Sequence, residues 1–148
     1  MQNLEFNTGM IELAIQGDPN RVLRFNPTDA GFAEGFMKLI DASNRKLVEA
    51  AEKEKLVCQS GGNIEKIQQK NQVNMEADKF LRGEVDKLFG TGAADIIFED
   101  ICVTAVTENG EPVFMGFAMA LLSFIESENK ARGKSADEVI ARYKPQRK

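Results

Sequence analysis

The chain has no histidine and no tryptophan, one tyrosine and only two cysteines among 148 residues. Without histidine there is no imidazole for general acid–base catalysis, no Ser–His or Cys–His nucleophile pair, and none of the commonest zinc ligand. Cys58 and Cys102 stand in dissimilar contexts and form no CxxC. They read as free, partly buried thiols of a reducing compartment. No apolar run approaches the roughly 18–20 residues that span a bilayer, and Met1-Gln2-Asn3-Leu4-Glu5 lacks a basic, apolar leader. The expected location is the cytoplasm, with no membrane partner. Net charge is −4, which gives no support to generic binding of nucleic acid or anionic lipid.

What is present is ordinary for a folded domain: 43% hydrophobic and 28% charged residues. A chain of this length is expected to form one domain, burying roughly 68–70% of its unfolded surface. The expected fold class is mainly α (α+β): a helical domain with an antiparallel helix pair and a small N-terminal β-ribbon. The divisions are a ribbon over 1–26, a helical hairpin over 27–90, a C-terminal helical part over 91–143 and a loose basic tail over 144–148.

Leu4–Thr8 and Ile11–Ile15 both alternate apolar with polar or small residues, with Thr8-Gly9 as the turn between them. Gly17-Asp18-Pro19-Asn20 is a second turn, and Val22–Phe25 a further extended segment. Strands so short and few need a helix to lie on. Asn26-Pro27-Thr28-Asp29 carries the signals of a helix start. Phe32, Phe36, Leu39, Ile40, Leu47, Val48 and Ala51 then trace one stripe to about Cys58. Gly31 and Gly35 inside it cost about 1 kcal/mol each against alanine and would let the ribbon approach closely. Glu49, Glu52, Lys53, Glu54 and Lys55 make the opposite, solvated face.

Ser60-Gly61-Gly62-Asn63 interrupts the pattern, with Asn63 as the cap of the next helix. A second stripe follows through Ile64, Ile67, Met75, Phe80, Leu81, Val85, Leu88 and Phe89. Its middle (Gln68, Gln69, Asn71, Gln72, Asn74) is polar enough either to face solvent or to meet a partner. The short connection predicts antiparallel packing, and the lack of sustained heptads argues against an independent coiled coil.

Leu88-Phe89-Gly90-Thr91-Gly92 is the junction on which the chain turns. Gly90 suits a left-handed helix end and Thr91 the cap of a short turn burying Ile96, Ile97 and Phe98. The Gly-Thr-Gly lacks the further glycine, lysine and preceding strand of a phosphate-binding loop. Ile101–Thr107 is rich in β-branched residues and Glu108-Asn109-Gly110-Glu111 is a tight turn, so 101–111 reads as an ordered loop with some strand. Pro112 opens the most apolar helix, with Phe114, Phe117, Ala118, Leu121, Leu122 and Ile125 in one stripe and Phe124 beside it. Ser135 would cap a separate short helix through about Tyr143.

For chemistry the chain offers little. Glu99-Asp100 is the one acidic pair beside an apolar cluster, yet neighbouring side chains point apart, and capping or solvation fits better than acid–base work or a hard cation. Arg132, Arg142 and Tyr143 form no phosphate-binding pattern. No catalytic, cofactor-binding or metal-ligating residue is assigned, and no enzyme activity is expected. Charge divides the second half. Seven acids and no Lys or Arg lie between Leu88 and Asn129, whereas seven cations face Asp137 and Glu138 from Lys130 onward, a balance of +5. Such runs are usually solvated surface; the sharper reading is a tail that docks on a neighbour's acidic face in a homo-oligomer.

The sequence of Leu88-Phe89-Gly90-Thr91-Gly92, Asp95-Ile96-Ile97-Phe98 and Pro112-Val113-Phe114 before an apolar helix resembles tail assembly chaperones of long-tailed bacteriophages infecting Gram-positive hosts. The ribbon over Leu4–Phe25, the Arg24–Asp29 helix start and the basic end fit the same pattern. Two departures are Glu99, where a glycine often follows the phenylalanine, and the insertion-like Ile101–Glu111. The resemblance implies a non-enzymatic helper of the host cytoplasm that coats the tape-measure protein and recruits tail-tube subunits, with a frameshifted longer form in some members. Phe89, Ile97, Phe98, Phe114, Phe117 and Leu121 are then the candidate partner-binding residues. A structural tail or virion component, and an inhibitor of a host protein, are the rival functions.

Overall fold

The computed structural model describes residues 1–57 and 61–143. Cys58, the Ser60 side of the turn and the tail at 144–148 lie outside the described residues. The elements run β1 (Ile11–Ile15), β2 (Asp18–Phe25), α1 (Ala30–Val57), α2 (Asn63–Phe89), α3 (Ala93–Phe98) and α4 (Val113–Tyr143). The protein is mainly helical, with one small N-terminal sheet.

β1 and β2 pair antiparallel, from Ile11 opposite Phe25 to Ala14 opposite Val22, with an irregularity before Ile15 meets Asp18. The hairpin turn is Gln16-Gly17, both at positive φ. This corrects the expected ribbon in two places. Residues 1–10 form no strand, so Thr8-Gly9 is not a hairpin turn, and the ribbon covers 11–25 rather than 1–26. Pro19 stands inside β2 in the irregularity between the Asp18 and Val22 pairs, where it has no register partner, so its missing N–H costs no ladder bond. Leu23 and Phe25 face inward and are buried.

The Asn26–Asp29 stretch starts α1 as its residues suggest. Asn26 Oδ1 accepts the Thr28 N–H at 2.9 Å, and Asp29 Oδ1 accepts the Gly31 N–H at 3.1 Å. Along α1 the buried residues are Phe32, Phe36, Leu39, Ser43 and Ala50. The stripe therefore passes through Ser43 and Ala50, and the expected Val48 and Ala51 are exposed. Ser43 needs no polar neighbour from another element, because its hydroxyl bonds the Ile40 carbonyl one turn back at 2.8 Å.

α2 returns antiparallel to α1. Glu54 bonds Asn74, the Lys46 ammonium lies 5.2 Å from the Phe80 ring centre, and Gly35 faces Leu88. A Cβ on Gly35 would stand 2.7 Å from Leu88 Cδ1, so this glycine admits α2, not the ribbon. Gly31 meets only its own Asp29. Asn63 is the first residue of α2 rather than its cap; Gly62 holds the cap position without a side-chain bond.

The core joins Leu23 and Phe25 of the ribbon to Phe32, Phe36 and Leu39 of α1, Leu81 and Val85 of α2, Ile97 and Phe98 of α3, and Phe114, Ala118, Leu121 and Ile125 of α4. Eight of the ten phenylalanines, all but the exposed Phe6 and Phe80, belong to this core or pack against it and make it aromatic. Phe25 stacks on Phe32 at 4.8 Å between ring centres, and Phe98 meets Phe117 edge-on at 5.3 Å, geometries that add to plain area burial. α4 is a single 31-residue helix, so no break occurs at Ser135. Its hydroxyl points back to the Ala131 carbonyl at 3.5 Å, an interaction a helix interior tolerates.

Candidate interaction groove

The junction after α2 is built by polar groups that the apolar pattern does not reveal. Gly90 has φ 111° and ψ 159°, a glycine-favouring conformation but not the left-handed helical one expected. Gly92, not Thr91, is the cap residue of α3, and it is the residue in the left-handed region. The free N–H groups at the start of α3 are taken by a carboxylate from the previous helix. Asp86 Oδ1 accepts the Ala94 N–H at 2.8 Å, and Asp86 Oδ2 accepts the Gly92 N–H at 3.3 Å.

Two arginines then close the other end of α3. Arg21, from β2, donates from Nε to the Ile96 carbonyl at 2.8 Å and from Nη2 to the Ile97 carbonyl at 2.7 Å. These are carbonyls that a helix end leaves without an internal partner, and cations are favoured there. Arg82, from α2, bonds the buried Asp78 at 3.1 Å and the exposed Asp95 at 2.9 Å, and reaches the Glu99 and Ile101 carbonyls at 2.7 and 2.8 Å. Its guanidinium also lies 5.8 Å from the Phe98 ring centre. Asp78 Oδ1 accepts the Val103 N–H at 2.8 Å, anchoring the following loop. Among the described residues no buried side-chain nitrogen or oxygen lacks a hydrogen-bond partner.

Residues 101–112 form an ordered loop whose strand character is one bridge, Val106 to Pro112. Its carbonyls receive the first N–H groups of α4: Ala105 from Val113 at 2.8 Å and Val103 from Phe114 at 3.0 Å. Gly110, at φ 81°, makes the turn before Pro112. Glu99 ends α3 at φ 52°, a backbone conformation that suits glycine far better than a side-chain residue. The turn forms nonetheless, with Glu99 Oε1 held 3.1 Å from Arg21. Asp100 beside it is exposed, and the two carboxylates do not converge.

This junction sets β1, α3 and the first half of α4 around an apolar groove of about 570 Å³. Ile97, Phe98, Phe117 and Leu121 line it together with Leu13, Ile15, Ile101, Val113 and Phe124. No charged side chain lines it. Of the six candidate partner-binding residues, those four reach the groove. Phe89 and Phe114 do not; Phe114 is fully buried, and Phe89 packs edge-on to Phe25 and Phe32. Ile97, Phe98 and Leu121 are themselves core residues, at most 6% exposed, so they form the groove's floor rather than a surface patch. The strand contribution was hidden in the sequence because Ile11–Ile15 reads equally as plain ribbon; Ile101 was hidden in a loop of undecided type.

A second apolar surface takes in Ile64, Ile67 and Met75 of the second stripe. Leu56, Ile64, Ile67 and Met75 are 59–75% exposed along the outer half of the α1–α2 hairpin. Among the described residues, no group of three or more His, Cys, Asp or Glu side chains converges as a metal site. No helix among them is long and apolar enough to cross a membrane. Comparison with protein-family models, curated proteins and solved structures returned no match.

Proposed function

We propose that the protein is a non-enzymatic tail assembly chaperone of a bacteriophage, working in the host cytoplasm, that binds the tape-measure protein and helps recruit tail-tube subunits. The observation that carries this reading is the outer hairpin. A chain with a well-filled aromatic core still leaves Val48, Leu56, Ile64, Ile67 and Met75 in water. Large exposed apolar groups on paired helices suit the covering of amphipathic segments in a long partner. The backbone at Glu99 gives further support: it adopts a glycine-favouring conformation at the position where the resembling family often has glycine.

Co-expression with the tape-measure protein encoded in the same tail module tests the reading. The expected result is a soluble complex, and loss of tape-measure solubility when Ile64 and Ile67 are both replaced by glutamate. Absence of any complex, with the protein retained in mature particles, would favour a structural virion component instead. Capture of one defined host protein in place of the tape measure would favour the inhibitor.

A further inference from the structure

The groove runs along an open sheet edge. Leu13, Ala14, Ile15 and Gln16 all line it. Consecutive strand side chains point to opposite faces, so a cavity that touches all four follows the edge of the strand rather than one face. Among the described residues β2 is the single partner of β1, and an unpaired edge presents N–H and C=O groups to any further strand. Opposite that edge the groove is apolar, with Phe98, Phe117 and Leu121 in its floor and wall. A segment that fits must therefore be extended, supply main-chain hydrogen bonds, and turn apolar side chains to one side only.

The chain carries such a segment ahead of β1. Leu4-Glu5-Phe6-Asn7-Thr8 alternates apolar with polar residues, and Leu4 and Phe6 are 83% and 73% exposed. Among the described residues no backbone–backbone hydrogen bond involves residues 1–10. The base of this arm is fixed: Asn26 Nδ2 donates to the Thr8 carbonyl at 3.0 Å, and Arg132 Nη1 to the Gly9 carbonyl at 3.0 Å. These bonds hold it off the β1 of its own chain. A hairpin there would use Gly9-Met10 as a two-residue loop, closed by the Ile11 N–H on the Thr8 carbonyl. That bond is not made, and the carbonyl is turned to Asn26 instead.

We propose that residues 4–8 of a second copy of this chain add to the free edge of β1 as a third strand, with Leu4 and Phe6 in the apolar groove. The lengths agree, since β1 has five residues and the arm spans Leu4 to Thr8. Charge sets the direction. Antiparallel pairing with Phe6 opposite Leu13 puts Glu5 opposite Ala14 and Asn7 opposite Glu12. The parallel alignment of the same ten residues sets Glu5 against Glu12, and like charges directly opposite are destabilising. No charged side chain lines the groove, and Glu5, the one charge between Leu4 and Thr8, falls on the strand face opposite Leu4 and Phe6. Each copy offers one arm and one edge, so the exchange closes a reciprocal pair or runs on head to tail. It is independent of whether a tape-measure protein is the partner, because only this chain is needed.

Mixing variants tests it. Phe6→Asp damages the arm and leaves the groove intact; Ala120→Arg, at an exposed position lining the groove, does the reverse. Both positions are exposed, and matching far-UV circular dichroism melts establish that both variants fold. In sedimentation velocity, the wild-type chain should form species of at least twice its 16.4 kDa mass as concentration rises. Each variant alone should stay monomeric, and their mixture should recover one contact and stop at twice the monomer mass. Register is read by cross-linking. Glu5→Cys mixed with Ala14→Cys should give a disulfide-linked pair on mild oxidation, well beyond the background that Cys58 and Cys102 give in the wild-type chain. A monomeric wild type, oligomers that survive both substitutions, or a mixture without linked pairs would each overturn the proposal. So would a Glu5→Cys/Ala14→Cys double variant that links only within one chain, because the arm would then have folded onto its own β1.

Discussion

The two halves of the α1–α2 hairpin carry the same kind of apolar periodicity and meet different fates. In the inner half, Phe32, Phe36 and Leu39 face Leu81 and Val85 and are covered by the ribbon, α3 and α4. In the outer half, Ile64 and Ile67 remain exposed although they continue the α2 pattern, and Leu56 near the end of α1 is exposed as well. Two helices bury only the strip between them; a third layer is needed to cover the rest. Here that layer ends before the hairpin does. The polar contacts differ in the same way. The inner half has Arg82 on Asp78, with side chains 17% and 12% exposed, whereas the outer half has Glu49 on Lys53, 48% and 46% exposed.

Truncations should separate the halves most widely. Phe36 is 2% exposed, and Phe36→Ala should cost about 3–5 kcal/mol in chemical denaturation, as buried phenylalanine deletions do. Ile64→Ala should stay within about 0.5 kcal/mol. If the two costs are equal, the outer half is packed in solution, and its exposed side chains have found a partner.

The next effect belongs to Arg82. Arg82→Gln leaves Asp78 with a charge, little water and only the Val103 N–H, and frees the Glu99 and Ile101 carbonyls. Breaking a pair of this kind costs about 3 kcal/mol. Arg82→Lys should recover only part of the loss, because an ammonium cannot reproduce the guanidinium fork. A full recovery would mean that charge alone holds the junction.

The fold class and the helix pair were legible because Phe32, Phe36 and Leu39 and then Leu81 and Val85 repeat at helical spacing with clear breaks between the helices. Where the outer stripe leads was not legible: periodicity states which residues share a face, and coverage depends on where the third layer stops. The ribbon slipped for a related reason. Leu4–Thr8 alternates as well as Ile11–Ile15 does, but only the latter finds β2, whose Gln16-Gly17 turn sets the register. The clamps by Arg21, Arg82 and Asp86 that hold α3 and its ends act across 6 to 76 residues, and no local pattern announces such partners. Four of the six candidate residues reach the groove because an apolar cluster beside a sharp turn must border whatever the turn brings together.

A smaller test of the same contrast uses partner binding rather than stability. Ile67→Glu should leave the denaturation midpoint almost unchanged, since Ile67 is 59% exposed. It should nevertheless weaken capture of the tape-measure protein if the outer hairpin is the binding surface. Unaltered capture by this variant and by Ile64→Glu would move the contact elsewhere.

The smallest effect is electrostatic and sits wholly in the outer half. A hydrogen bond from Lys53, then the charges of Lys46 and Lys53, hold the Glu49 carboxyl below its ordinary value of 4.5, and Glu49 in turn raises Lys53 above 10.5. A carboxyl whose folded value is lowered contributes stability that is present above the unfolded value and lost as pH falls through the folded one. For Lys53 the contribution is present below 10.5 and lost as pH rises through the raised value. The wild-type advantage over Glu49→Gln should therefore hold between these limits and shrink below pH 4.5 and above pH 10.5. Both groups are exposed, so added salt should shrink it as well. Denaturation midpoints of the two proteins, followed across pH at low and high salt, measure it. An advantage that grows on acidification would show that the Lys46–Glu49–Lys53 cluster does not favour the folded chain.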